Sequence, residues 1–433
     1  MRLRIDQMIY GGAALAYPPE PEAPRKATLV PFTLPGEIVE VLPNDGQHIP
    51  AEASLVQILT PSEDRIQPSC AHFSDCGGCH YQHASNPAQV NIKTSILRET
   101  LHHAGVAALP DIQAHTNHPW QYRNRSRLRV ESINGMLSVG YNRRASNTFL
   151  PIHECPISAP LIWRTCEALL HVARENSPAG RCAASAAEVE IFVSDHEQTL
   201  QMTLFVRKSR NDFSEFCVRM QQLIPELTGA GAALLPPEGK QRTQKPRPVH
   251  TWGAVGLRYR VAEEDYWISR GGFFQVNRFL LDELVAIVTA GRHGLVAWDL
   301  YAGVGLFSRV LARSFERVVA VETSGGDLIN TFKGAGRRAV EATTLEFLRG
   351  AVLQRDRPEL IVVDPPRAGL GDDVCALLAR ISPAEIVYVS CDPVTLARDL
   401  KSLTASGYQL AELHLVDLFP QTFHMETVVV LRK

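Results

Sequence analysis

Hydrophobic and polar positions divide the chain into three regimes. Up to about residue 60, apolar stretches such as Leu29-Val30-Pro31-Phe32 and Glu37-Ile38-Val39-Glu40-Val41-Leu42 are separated by the turn formers Gly11-Gly12, Pro18-Pro19, Pro35-Gly36 and Asn44-Asp45-Gly46. Strand-length runs broken this often predict a small β-barrel of the OB type. From about 61 to 260 the pattern predicts a helix near residues 88–103 and then alternating strands, an α+β arrangement that also contains a cysteine cluster. From 261 onward, apolar runs at 295–300, 318–321, 360–363 and 386–389 alternate with helical periodicity and end in the strand 427–431. That alternation predicts a doubly wound, Rossmann-like α/β sheet. The tract 234–252, with Pro236-Pro237 and the polar run 240–248, shows no core face and reads as a solvated loop.

Length and composition change this picture little. A chain of 433 residues exceeds a single core, so three domains are expected, at 1–60, 61–260 and 261–433. Apolar residues at 45% and charged residues at 21% are ordinary globular values, which excludes pervasive disorder. The formal net charge of −2 excludes a diffusely basic coat, so any polyanion site must be a local stripe. The segment Met1-Arg2-Leu3-Arg4-Ile5-Asp6 lacks an apolar signal core, and no run of about 18 apolar residues could span a bilayer. A cytoplasmic protein with no membrane partner is expected. Nine cysteines, an odd number in a reducing compartment, point to metal binding or catalysis rather than disulfides.

The most informative cysteine ends the run Glu385-Ile386-Val387-Tyr388-Val389-Ser390-Cys391, after which Asp392-Pro393 opens a helical pattern. Asp392 is a good N-cap and Pro393 suits the first helical position, so Cys391 stands beside the positive end of a helix dipole. That setting favours a thiolate nucleophile, with a buried packing cysteine as the alternative. A second strand ends in Tyr301-Ala302-Gly303-Val304-Gly305, a turn that lets a ligand approach the backbone, and the next ends on Glu322, placed to take ribose hydroxyls. A nicotinamide site would want a third glycine where Ser308 stands, which favours S-adenosylmethionine over a dinucleotide. A further strand finishes at Asp364-Pro365-Pro366-Arg367, where amine methyltransferases normally carry an aromatic residue in place of Arg367. Glu426 enters the final strand as either a solvated end or a buried acid/base group.

Cys70, Cys76 and Cys79 lie in one ten-residue loop with Gly77-Gly78, and Cys155 lies far downstream in His153-Glu154-Cys155-Pro156. Four thiolates of this kind suit zinc or a [4Fe-4S] cluster about equally. Cys166, Cys182, Cys217 and Cys375 have no such company and read as packing residues. In Trp120-Gln121-Tyr122-Arg123-Asn124-Arg125-Ser126-Arg127-Leu128-Arg129 the arginines fall at every second position. On a strand they share one face, suited to phosphates, with Trp120 and Tyr122 as candidate stacking groups and a face paired with acids such as Glu131 as the alternative. Arg143-Arg144 would extend the patch.

Taken together, Phe273-Phe274-Gln275-Val276-Asn277, the 299–305 turn, Asp364-Pro365-Pro366-Arg367, Val389-Ser390-Cys391-Asp392-Pro393 and the stretch Phe419-Pro420-Gln421-Thr422 with His424 and Glu426 resemble the RNA uracil-5 methyltransferases, a class I S-adenosylmethionine-dependent family. Tyr10-Gly11-Gly12 and residues 30–37 resemble the TRAM barrel of its ribosomal-RNA members. The resemblance implies Cys391 as nucleophile and Glu426 as general base. It also implies a cofactor site of Gln275, Tyr301, Gly303, Gly305, Glu322 and Asp364, the last also near the target base. For Cys70, Cys76, Cys79 and Cys155 it implies a [4Fe-4S] cluster. Ala302 departs from a frequent cysteine, and the short segment Ser324-Gly325-Gly326 leaves the adenine contact unassigned. The expected substrate is ribosomal RNA of the large subunit and the expected state a monomer. A transfer-RNA enzyme and a non-catalytic RNA-binding protein are the alternatives.

Overall fold

The computed structural model describes residues 1–19, 27–43, 51–106, 108–237, 244–324, 326–355 and 357–433. The turn Asn44-Asp45-Gly46, residues 240–243 and Gly325, named above, lie outside these. The chain forms two compact units, one from 1–119, 365–379 and 388–433, the other from 120–364 and 380–387.

The first unit opens with a closed five-stranded barrel of β1 (Arg2–Met8), β2 (Ala13–Tyr17), β3 (Thr28–Pro31), β4 (Ile38–Pro43) and β5 (Ala51–Thr60), in the order β1-β2-β3-β5-β4. Alternation of buried Leu3, Ile5 and Met8 with exposed neighbours along β1 fits a strand with one face inward. Gly12, at φ +89°, has no room for a side chain, because a Cβ would lie 2.9 Å from the His80 ring. Helix α1 (Asn86–His103) starts where Ser85 Oγ accepts from the Ala88 amide and Pro87 fixes the first turn. A short strand, β6 (Ile112–His115), follows.

In the second unit, β7 (Arg125–Ile133), β8 (Met136–Asn142), β9 (Phe149–Pro151), β10 (Ala186–Val193), β11 (Leu200–Val206), β12 (Leu227–Leu234) and β13 (Arg247–Gly253) make a sheet in the order β13-β12-β11-β10-β7-β8-β9. One face packs Leu128, Val130, Ile191 and Met202 against α2 (Pro160–Val172), α3 (Pro178–Ala183) and α4 (Phe213–Leu223). The solvated-loop expectation for 234–252 is corrected at its end. Residues 247–253 pair antiparallel with β12, and Val249 and Trp252 pack on the core, apolar positions that the prolines and charges around them obscured. The hairpin β14 (Gly256–Val261) and β15 (Glu264–Ser269) leads through α5 (Leu281–Thr289) to four parallel strands. These are β16 (Gly294–Leu300), β17 (Phe315–Glu322), β18 (Arg337–Glu341) and β19 (Leu360–Val363), in the order β18-β17-β16-β19. Helices α6 (Leu306–Leu311), α7 (Gly326–Thr331) and α8 (Thr344–Gln354) connect them.

After α9 (Gly371–Ile381), the strands β20 (Glu385–Ser390), β21 (Gln409–Val416) and β22 (Glu426–Arg432) complete the chain with α10 (Pro393–Ala405). The order here is β20-β22-β21-β6, with β22 antiparallel to β21 and β6 parallel to it. No helix among the described residues is long and apolar enough to cross a membrane.

Candidate active site

Cys391 directly follows β20, and Glu426 is the first residue of β22, the neighbouring strand in the order. The thiol is partly exposed and the carboxylate is buried. Asp392 caps α10 as its sequence predicts, with Oδ1 accepting from the Val394 and Thr395 amides at 3.0 Å each. Ser390 Oγ bridges the Asp392 amide (3.3 Å) and carbonyl (3.1 Å), so the peptide bearing the thiol is held from both sides.

The surrounding wall is aromatic and basic. Tyr10, from the first turn of the barrel, donates to Asp392 Oδ2 at 3.3 Å and meets Phe423 edge-on. Burial, and then the charge of Asp392, push its phenol well above the usual range, so it stays protonated at neutral pH. Phe423 also contacts His80 and His424, and Arg367 approaches His424 Nδ1 at 3.5 Å. Asp399 sets the loop that carries Arg367 by accepting from the Leu370 amide (2.7 Å) and the Tyr388 hydroxyl (2.7 Å). Gly369, at φ +74°, leaves that carboxylate its space, since a Cβ would lie 2.4 Å from Asp399 Oδ2. Tyr10 entered the sequence reading only through the Tyr10-Gly11-Gly12 resemblance and not as a neighbour of the thiol, and Asp399 carried no signal beyond a helix position.

In the second unit, three carboxylates stand at or just beyond neighbouring strand ends, Glu322 on β17, Asp299 on β16 and Asp364 after β19, the usual ligand crevice of a parallel sheet. The turn after β16 is built for backbone access. Tyr301 has φ +63°, an uncommon conformation for a large side chain, and Gly303 (φ +57°) has open space where a Cβ would project. Glu322 Oε2 accepts from the Gly303 amide at 2.9 Å, tying the acidic strand end to the turn. Gly305 (φ +86°) would put a Cβ 2.9 Å from Leu328 Cδ1. Gln275 is buried, and its carbonyl accepts from Asn124 Nδ2 at 3.1 Å. An open glycine cradle with a carboxylate behind it fits a nucleoside cofactor such as S-adenosylmethionine.

Asp299 was quoted in the sequence only as the start of this turn. It is fully buried, and its Oδ2 accepts from both the amide and hydroxyl of Ser308, while Oδ1 has no hydrogen-bond partner. Ser308 therefore stands where a dinucleotide site has glycine because it anchors this carboxyl. Burial raises the Asp299 pKa to about 7 despite those two bonds, and burial followed by the charge of Asp299 raises Asp364 to about 7. Both folded values lie above the ordinary 3.8, so these groups stabilise the fold fully below about pH 4, and that contribution is lost as pH rises through about 7. The thermal midpoint should fall between about pH 5 and pH 8, and Asp299→Asn should reduce that fall by about 2–4 °C. Identical slopes for the two proteins would reject the assignment.

Arg125, Arg127 and Arg129 share one face of β7, as their spacing predicts, alternating with buried Ser126, Leu128 and Val130. Each lies over a ring, Arg125 on Phe192 (3.9 Å), Arg127 on Phe205 (3.8 Å) and Arg129 on Phe149 (5.6 Å). Arg127 also pairs with Glu188 and Arg129 with Glu131, so the acid-paired alternative holds for these two. A cleft of about 1230 Å³ runs past them to Arg207, Lys208 and Arg210. Tyr122 is corrected as a stacking group, because it is wholly buried, whereas Trp120 is partly exposed.

Cys166, Cys182, Cys217 and Cys375 are buried packing residues, and burial pushes the Cys182 and Cys375 thiols to about 12. Cys70, Cys76, Cys79 and Cys155 are partly exposed, the first three in one unit and Cys155 in the other. Among the described residues no three His, Cys, Asp or Glu side chains are grouped as a metal site.

A family model described as tRNA (Uracil-5-)-methyltransferase matches residues 336–433. The 23S rRNA (uracil(1939)-C(5))-methyltransferase RlmD of Dechloromonas aromatica is 30% identical over 426 residues, covering 94% of this chain and 94% of the relative. An uncharacterised RNA methyltransferase of Listeria monocytogenes is 30% identical over 432 residues, covering 93% and 92%. The crystal structure of Pyrococcus abyssi tRNA (uracil-54, C5)-methyltransferase with S-adenosyl-L-homocysteine shares the fold, with a TM-score of 0.73 over 100% of both chains at 20% identity. Relatives that match from end to end at this level make the chain a member of the RNA uracil-5 methyltransferase family.

Proposed function

We propose that this protein methylates C5 of a uridine in RNA, with Cys391 as nucleophile and Glu426 as general base. The observation that carries the reading is a thiol at the end of β20 and a buried carboxylate opening the neighbouring β22. Uracil C5 is a poor nucleophile on its own. Addition of the Cys391 thiolate to C6 moves the C5–C6 π electrons onto C5 and O4, making C5 nucleophilic, so one hard step becomes two easier ones. S-adenosylmethionine supplies the methyl group when bound. Gln275, Tyr301, Gly303, Gly305 and Glu322 would hold the cofactor, with Asp364 at the cofactor and base. Glu426 then takes the C5 proton, C5=C6 re-forms and the C6–S bond breaks, returning the thiolate. The uridine must leave its stack to reach the thiol. The barrel is read as a TRAM-type RNA-binding module, and the cleft beside β7 that reaches Arg207, Lys208 and Arg210 as a contact to RNA phosphates.

Large-subunit ribosomal RNA is the preferred substrate, supported by the 23S rRNA named for end-to-end relatives. Transfer RNA is the second reading, favoured by the full-length fold match. Mass-spectrometric mapping of 5-methyluridine in both RNA classes, from cells with and without the protein, decides between them. A mark lost at one ribosomal position supports the first reading, and a loss confined to transfer RNA supports the second. No change in either would leave a non-catalytic RNA-binding protein.

The assignment of a [4Fe-4S] cluster to Cys70, Cys76, Cys79 and Cys155 rests on their spacing and on the family resemblance, and no step of the reaction passes through it. Anaerobically purified protein should hold about four irons and four sulfides per chain. Zinc without sulfide would overturn the assignment.

A further inference from the structure

The loop at 417–425, which leads into Glu426, is gripped by α1 and by the residues that follow Cys79. Lys93 is wholly buried and donates to Asp417 Oδ1 at 2.6 Å and to the Phe419 carbonyl at 2.9 Å. One turn earlier on the same helix face, buried Gln89 donates Nε2 to Gln421 Oε1 (2.9 Å), and its Oε1 accepts from the Gln421 amide (2.9 Å). The Gln421 carbonyl accepts from the His80 and Tyr81 amides at 2.8 and 3.0 Å, and its Nε2 donates to Asn86 Oδ1 at 3.2 Å. Gln421 itself is buried at φ +69°, a left-handed conformation that a non-glycine residue keeps only where its surroundings over-determine it. Every polar group of Gln421 is thus engaged, five residues before the carboxylate.

We propose that Gln89 and Lys93 are positioning residues for the final step of the reaction, fixing the loop that aims Glu426 at the C5 proton. The inference rests on the reading of Glu426 as general base. It separates the two halves of the chemistry, because the described side-chain hydrogen bonds of both residues run to Asp417, Phe419, Gln421 and the Ala84 carbonyl and none to the 390–395 segment that presents Cys391. Loosening the grip should leave addition of the thiol to uracil intact and slow its release.

The test is a time course of the denaturant-resistant protein–RNA adduct with full-length protein, substrate RNA and S-adenosylmethionine. Lys93→Met strands the Asp417 carboxylate in the interior and is prone to misfold, so Gln89→Met, which keeps the side-chain length, is the primary variant. Adduct should form at the wild-type rate and decay about tenfold more slowly, with kcat reduced and RNA and cofactor affinities unchanged. Decay at the wild-type rate would overturn the proposal, as would formation and decay slowing together with a lowered thermal midpoint. Glu426→Gln is run in parallel. If it accumulates no adduct, the base assignment falls and this proposal with it. If it does and Gln89→Met does not, only the positioning role falls.

Discussion

Cys391→Ala is expected to lose methylation by at least about 10⁴-fold, while binding of S-adenosylmethionine persists. The two effects separate because the glycine turn, Glu322 and Gln275 belong to one compact unit and Cys391 to the other. The substitution removes a partly exposed Sγ and leaves untouched the Asp392 cap, which engages the Val394 and Thr395 amides through its own carboxylate. Thermal stability should therefore change little. Calorimetric titration of cofactor, alongside incorporation of labelled methyl groups into RNA, gives both quantities. Activity close to wild type would remove covalent catalysis from the account, and loss of cofactor binding would recast Cys391 as a structural residue.

The second large effect is expected from Glu426→Gln. Removing a general base typically costs 10²- to 10⁴-fold, and here the cost should fall on one step only. The thiol still adds and C5 is still methylated, but the C5 proton is left without an acceptor, so the protein should accumulate as a covalent complex with RNA. Glutamine keeps the shape and the register opposite Val416, which limits damage to β22. A denaturing gel reads the outcome directly. If no adduct resists denaturant while turnover is lost, Glu426 acts before or during thiol addition and the order of events must change.

Much of this site was legible in the sequence because strands of a parallel sheet announce their own ends. Apolar runs at 295–300 and 360–363 stop at Tyr301 and Asp364, and the run at 386–389 stops at Ser390, one residue before Cys391, so each candidate follows from the place where an apolar run gives out. The Asp392-Pro393 pair was equally readable, since capping is a local interaction between residues two or three apart. What escaped depends on partners distant in sequence. β6 carries only four residues and gains its place from β21, about 300 positions later. The strand at 247–253 hides two core residues among prolines and charges. Asp299 became informative only once Ser308 was seen to hold it, and Gln89 looks like any polar residue on a helix until Gln421 is placed beside it.

The ion pair between Lys93 and Asp417 spans 324 positions of the chain. During synthesis at about 5–20 residues per second, helix α1 leaves the ribosome roughly 15–65 s before its partner is made. Through that interval Lys93 lacks the carboxylate that pairs with it in the fold, so burying this face of the helix would leave a charge unpaired and the face stays solvated until Asp417 is made. The first 119 residues can close their barrel early, yet the unit to which they belong is sealed only once residues 388–433 have been made.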